Sequence, residues 1–370
     1  MNLSFDNFFE IFSRLPAKAI YKFMSTCMIL SKFPKETYFA SKQAQHAFSR
    51  DDTCFFIQPE TPIEVTQWCN LPVEFHPLPG EESSSGVSRN VLAYFSKRIK
   101  ILCSSNGLVL CSVASENEVN FYIINPATQS CSLIPTPDHI QNSSFYDHKI
   151  GFLCELDGNF MIYHFIDNLD EWSSYFDCKV YKDGVWKAKE KFSTGSRSLR
   201  FDMPVHHRGA IHFISDCSSY LTRSNPYFRP YIMSYNFEDE KSSMLRVPKE
   251  ARKDQSICLV RLRKRVFTVW VLTKYESSLW RKILKIRVKA MGVLENDPSQ
   301  IVVKSFILLN GELLVFSTQK KVYQYGLRDK KIHKFWDYES EFNFLRFTPY
   351  KDTLHTCDIG TRNLSLPIHV

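Results

Sequence analysis

Few side chains in this 370-residue sequence are spaced to do chemistry together. His206 and His207 with Cys217 have the residue types of a metal site. Neighbours along a strand point to opposite faces, however, so both rings cannot reach one ion without a bend. Asp167, Asp170 and Glu171 beside Trp172 resemble the carboxylate-and-aromatic mixture of a sugar site. Their proximity in a loop is explained as well by chance. No G-x-S-x-G elbow, H-E-x-x-H helix, P-loop or G-x-G-x-x-G turn occurs. The Cys count is 11, scattered from Cys27 to Cys357 without a C-x-x-C. A disulfide framework or zinc site needs paired spacing, so these read as buried, reduced thiols of an intracellular chain. The sequence thus points to binding rather than catalysis, with no cofactor and no metal.

The elements that would position a binding surface begin with the composition. Phe 30, Tyr 17 and Trp 6 against Gly 12 favour strands. The longest apolar run, Val266 to Leu272, is too short to span a membrane. The first residues lack a basic n-region and a small-residue cleavage site, so cytoplasm or nucleus is expected. The formal charge of +8 is uneven: between Arg246 and Lys289 there are 14 Lys and Arg against Glu250, Asp254 and Glu276. Such a block suits an acidic partner or a nucleic-acid backbone. Solvated strand faces are the simpler account, and no nucleic-acid-binding motif accompanies it.

Residues 4–33 are of another kind. Ser4 suits a helix N-cap with Asp6 in the first turn, predicting a helix from Phe5 to Arg14. Pro16 suits the start of a second helix, whose apolar face is Ile20, Phe23, Met24 and Cys27. After Pro34 a third helix is predicted from Lys35 to about Ala47. So much apolar surface on so short a segment must pack on the rest of the chain or on another protein.

After Cys54 the pattern changes to short strands separated by turns, and the turns recur. Gly107, Gly158 and Gly209 are 51 residues apart, and Gly311 follows at twice that interval. The skipped turn falls at Arg263-Lys264-Arg265, before the apolar strand Val266 to Leu272. The second half of each unit is strand, polar turn, strand: Phe121 to Ile124 with Ser132 to Pro135, Ile232 to Tyr235 with Met244 to Pro248, and Val322 to Tyr325 with Ile332 to Phe335. Cys178 to Tyr181 before Trp186 is the weakest copy. Self-similarity at roughly fifty residues, all strand, is the kelch-like signature of propeller blades. Six blades between residues 54 and 350 are expected. A strand near 54–58 should meet one near 344–348. The Gly80–Gly86 segment and the stretches Pro137 to Asp147 and Ser215 to Pro230 are predicted loops. In the last, Tyr220, Arg223, Tyr227, Phe228 and Arg229 are candidate target-binding residues.

The two halves together resemble a plant F-box protein with a kelch-like F-box-associated C-terminal domain. The run Glu10 to Ile20 is similar to the family's E-I-L-x-R-L-P-x-K-S-L, and Phe23 and Cys27 match its R-F-x-x-V-C-K-x-W. Ser104-Ser105-Asn106-Gly107-Leu108 is similar to S-C-N-G-L, Ile124-Asn125-Pro126-Ala127-Thr128 to W-N-P-A-T, and Trp270-Val271 with Trp280 to a paired W-V-x…W. The sequence departs from the family at Lys22, Thr26, Met28 and Leu30, the last replacing a Trp, and Leu3-Ser4 replaces Leu-Pro.

The resemblance implies an α+β multidomain chain. Residues 1–48 would be an F-box-like helical domain, 49–100 a linker with first strands, 101–350 the propeller and 351–370 a tail. It implies a substrate-recognition subunit of an SCF-type cullin–RING ubiquitin ligase in the ubiquitin conjugation pathway. Docking on a Skp-type adaptor would use Leu3, Phe5, Ile11, Leu15, Pro16, Ile20, Phe23, Cys27 and Leu30, above all Leu15, Pro16, Ile20 and Phe23. The propeller would bind a protein target, with no membrane partner. The competing expectation is a propeller enzyme or carbohydrate-binding module whose helices merely cover it.

Overall fold

The computed structural model describes residues 4–24, 33, 36–49, 54–60, 74–76, 99–114, 119–136, 149–167, 174–216, 221–247, 257–293, 301–338, 344–357 and 364–365. Three helices come first: α1 (Phe5–Ser13), α2 (Ala17–Met24) and α3 (Thr37–Ser49). Ser4 caps α1, its Oγ accepting from the Asn7 N–H at 3.3 Å. The Pro16 carbonyl accepts from the Ala19 and Ile20 N–H groups and so opens α2. No described helix is long and apolar enough to cross a membrane.

The other described elements, apart from a 3-10 turn at Val288–Met291, are strands: β1 (Cys54–Glu60), β2 (Glu74–His76), β3 (Ile99–Ser105), β4 (Leu108–Ala114), β5 (Val119–Asn125) and β6 (Ser130–Ile134). Next come β7 (Lys149–Cys154), β8 (Phe160–Asp167), β9 (Tyr175–Lys182), β10 (Val185–Ser193), β11 (Val205–His207) and β12 (Ala210–Ile214). There follow β13 (Tyr231–Asn236), β14 (Ser242–Arg246), β15 (Cys258–Arg263), β16 (Val266–Lys274) and β17 (Leu279–Arg287). The last are β18 (Ser305–Leu309), β19 (Leu313–Ser317), β20 (Lys321–Gly326), β21 (Ile332–Asp337), β22 (Phe344–Tyr350) and β23 (Leu364–Ser365).

Five sheets are consecutive meanders: β3 to β6, β7 to β10, β11 to β14, β15 to β17 and β18 to β21. The expected number of blades, six, is not supported here. Residues 54–98 are long enough for a blade, yet among the described residues they contribute only β1 and β2. The sheet holding them is three-stranded, in the order β2-β1-β22. That order does bring 54–58 beside 344–348 as expected.

The turn period has a backbone cause. In the first hairpin of four meanders both turn residues are left-handed: Asn106 and Gly107, Arg208 and Gly209, Lys264 and Arg265, Asn310 and Gly311. In the first three this is the two-residue turn whose twist matches a hairpin, while the last adds Glu312 before Leu313 pairs with Leu309. The Lys264-Arg265 turn keeps that geometry without glycine, so the period survives where the composition signal is lost.

By compactness the chain divides into two units. One comprises 1–163, 180–187 and 346–370. Its core places Leu102, Leu108, Leu110, Phe121 and Ile123 with Ile150, Phe152, Ile162 and Tyr181. Trp186 packs at the edge of that core and donates from Nε1 to the Pro135 carbonyl at 2.6 Å. The other comprises 164–179 and 188–345. It holds an aromatic cluster of Phe165, Phe192, Phe201, Phe213 and Tyr235. It also holds an apolar layer on each face of the β15–β17 sheet. The free thiols of Cys54, Cys103, Cys111, Cys131, Cys154, Cys178 and Cys357 are buried. Burial pushes Cys103, Cys131 and Cys178 up to about 12, which keeps them protonated and unreactive at neutral pH.

Candidate functional site

The helices present two apolar faces, and these have different fates. The inward face packs Ala17, Ile20, Phe33, Phe39 and Ala40 against Ala127 and Leu354, with Phe9, Phe12, Leu15 and Met24 around them. The outward face leaves Phe8 39%, Ile11 50% and Phe23 44% exposed. Phe12 joins the two, stacking on Phe8 at 6.3 Å and meeting Phe23 edge-on at 5.5 Å. The patch is therefore continuous from α1 to α2. Among the residues expected to dock, Ile11 and Phe23 stand in the open and Leu15 and Pro16 are half-buried. Ile20 is only 1% exposed, which corrects its assignment: it is core, and no partner reaches it while the helices stay packed. Leu3, Cys27, Leu30 and the side chain of Phe5 lie outside the described residues. Phe8 was not among those residues, although its spacing of three and four from Ile11 and Phe12 places it on their face.

What holds the inward face is a strap, residues 351–357. The buried side chain of Asn125 donates from Nδ2 to the carbonyls of Thr353 at 2.9 Å and His355 at 2.6 Å. Its Oδ1 accepts from the Ala127 N–H at 2.9 Å and the Thr128 N–H at 3.3 Å. The β3–β4 turn grips the same strap. Thr353 Oγ1 donates to the Asn106 carbonyl at 2.9 Å, and the Asn106 amide reaches the Glu155 carbonyl at 2.8 Å and His355 Nε2 at 3.2 Å. Gly107 is left-handed at φ +85°, and a Cβ there would lie 1.9 Å from Thr353 Oγ1. From the other side Gln43 of α3 accepts from the Leu354 N–H at 3.2 Å. The N-P-A-T and S-S-N-G sequences are thus the two clamps that fasten the strap on which α3 sits. His355 is held neutral, its pKa pushed down to about 4 chiefly by burial.

The loop proposed for target binding is firmly tied. The buried Arg197 donates to the Tyr227 carbonyl at 2.8 Å, to the Phe228 carbonyl, and to Asp216 Oδ1 at 3.0 Å. The Tyr227 ring packs on Tyr231 at 5.4 Å, and the Tyr231 hydroxyl donates to the Thr194 carbonyl at 2.6 Å. Tyr227 and Phe228 are therefore half-buried supports, and Arg223 and Arg229 are the side chains presented to solvent. Tyr220 lies outside the described residues.

The histidine pair serves packing. In β11, His206 stacks toward Phe237 at 6.0 Å and His207 toward Tyr275 at 5.8 Å. His212 bonds Tyr275 Oη through Nε2 at 2.7 Å. Among the described residues no group of three His, Cys, Asp or Glu is placed to hold a metal. Cys217, Asp170, Glu171 and Trp172 lie outside them, and Asp167 is exposed.

Residues 83–295 match the family model described as F-box protein At3g26010-like, beta-propeller. Across 352 residues the chain is 23% identical to F-box protein At5g49610 of Arabidopsis thaliana, covering 87% of each chain. Among solved structures it is similar to TolB from Acinetobacter baumannii, with a TM-score of 0.46 and 13% identity over 81% of this chain and 66% of that one. It is also similar to Sqt1 of Saccharomyces cerevisiae, with a TM-score of 0.34 and 10% identity over 66% and 64%. Both scores are too low to bear on the reading of this fold. The family match spans more than half of the sequence and runs from before the first meander through the fourth. The chain therefore belongs to the plant F-box proteins with an At3g26010-like β-propeller.

Proposed function

We propose that this chain is the target-binding subunit of an SCF-type cullin–RING ubiquitin ligase. The helical segment docks on a Skp-type adaptor, and the kelch-like β-domain holds a protein for ubiquitination, in cytoplasm or nucleus. The observation that carries this is the exposed apolar patch of Phe8, Ile11 and Phe23 on helices whose other face is already occupied. The names of its relatives support the same reading. Leaving three large apolar side chains in water on so small a segment is costly unless a partner covers them. The chain supplies no catalytic group in this role; it holds a target near a transferase.

The competing reading, helices that only cover the β-domain, draws on the packing of Ala17 and Ile20 against Ala127 and Leu354. It gives no reason for the outward patch.

The test is binding of the purified full chain to a Skp-type adaptor, beside a known F-box as control. Ile11→Asp puts a charge on a half-exposed site, so the fold should survive while affinity falls by about tenfold or more. No binding by the intact chain when the control binds would overturn the proposal.

A further inference from the structure

Among the described residues the β15–β17 sheet stops one strand short of its neighbours. The other four meanders each have a fourth strand, β6, β10, β14 or β21. Here the order ends at β17, and among the described residues nothing pairs with its outer edge. A strand of nine residues with an open ladder is a template for another extended segment. The same chain already shows such an addition: β23 pairs antiparallel with the outer edge of β6, Leu364 against Cys131 and Ser365 against Ser130.

The side chains on this edge specify what would fit. Two cross-strand rows run Arg261–Thr268–Lys285 and Arg263–Val266–Arg287. They put four exposed cations on one face of the sheet. Among the described residues none of the four makes an ion pair with a carboxylate. The alternate residues of β17, Leu284 and Ile286, turn to the other face and pack on the core around Phe267 and Phe316. An added strand would therefore face Lys285 and Arg287 with every second residue and the apolar layer with the residue between. Lys285 and Arg287 are about 7 Å apart along the strand, the spacing of positions i and i+2 in a partner strand.

We infer that the outer edge of β17 binds an extended acidic peptide segment, alternating Asp or Glu with aliphatic residues, as the missing fourth strand. The backbone ladder supplies affinity, and the alternation supplies specificity. This deepens the reading of the chain as a target receptor by naming the target's chemistry. It is independent of the adaptor surface.

The probe is a labelled peptide as long as β17, alternating Glu and Val, titrated with the purified full chain by fluorescence anisotropy. Saturable binding is expected, weakening with salt and falling at least about tenfold in Lys285→Glu with Arg287→Glu. The same peptide with methylated backbone nitrogens on alternate residues should not bind the unsubstituted chain. That arm needs no variant, so it decides the matter however the double variant folds. Equal binding by the methylated peptide would reduce the site to bulk charge and overturn the inference. So would tighter binding of a single-stranded RNA that displaces the peptide. Peptide binding is measured without adaptor, so its failure is distinct from a failure of adaptor docking.

Discussion

Replacing Asn125 with alanine is expected to destabilise the chain by about 3 kcal/mol. The side chain is fully buried and all of its hydrogen-bonding capacity toward the strap and the turn is used. Alanine leaves two carbonyls and two N–H groups without their partner, in a place that water does not reach easily. An unpaired buried group costs on the order of 1–3 kcal/mol, and partial relaxation reduces the sum. Asn125→Asp separates the two ends. Its retained oxygen still accepts from Ala127 and Thr128, while the new oxygen faces the Thr353 and His355 carbonyls, so only the strap is released. Thr353→Ala removes just the bond to the Asn106 carbonyl and should cost about 1 kcal/mol. Urea midpoints give these differences, and hydrogen exchange at the Leu354 amide reports the strap directly. An Asn125→Ala loss no larger than that of Thr353→Ala would show that the clamp is not where the strap is held. Because Leu354 lies under Ala17, Ile20 and Phe39, the same variant should loosen the helices and weaken adaptor binding without touching the outward patch.

The parts of this arrangement that are local were readable in the sequence. Ser4 and Pro16 mark helix starts through their own backbone chemistry, and the recurring Gly turns follow from a conformation that few residues adopt. The Lys264-Arg265 turn was found by interval alone. What stayed hidden depends on distant partners. Apolar spacing shows that α2 has a buried face but not whether the chain or another protein buries it, so Ile20 and Ile11 looked alike. Asn125 meets Thr353 and His355 across 228 and 230 positions, and nothing in the tail announces a strap. Tyr227 and Phe228 have hot-spot residue types, yet Arg197 fixes them from outside the loop. The blade count failed because it was taken from length. Among the described residues a segment long enough for a blade supplies two strands, to a sheet completed from the other end of the chain. The basic block between Arg246 and Lys289 was visible as charge. Only the cross-strand register showed that part of it lines an edge that no described strand pairs with.

Acidification between about pH 6.5 and pH 4 is expected to remove several kcal/mol of stability. His212 and His355 contribute most, and His207, also pushed down by burial, acts in the same direction. Burial pushes the pKa of both His212 and His355 down from 6.5 to about 4. In that window the unfolded chain takes up protons that the folded chain refuses, so stability rises with pH and is lost as pH falls. A shift of that size corresponds to about 3 kcal/mol per histidine, fully expressed once both forms are charged near pH 4 and absent above about 7. The hydrogen bonds agree with the neutral forms. His212 Nδ1 donates to the Val205 carbonyl at 3.1 Å, which leaves Nε2 to accept from the Tyr275 hydroxyl. His355 Nε2 accepts from the Asn106 amide, and a proton there would set donor against donor. The carboxylates with lowered values, Glu10, Glu240 and Glu276, titrate below their usual 4.5 and lie at the surface, so they do not account for loss in the higher window. His355→Gln and His212→Gln keep an acceptor in place without a titrating proton. Each should flatten the slope of the urea midpoint against pH, and the pair should remove most of it, leaving the smaller share of His207. An unchanged slope in the double variant would mean that other groups drive the acid transition. Since His355 sits in the strap, its protonation should also accelerate exchange at the Leu354 amide before the chain unfolds, while the His212 variant leaves that local opening intact.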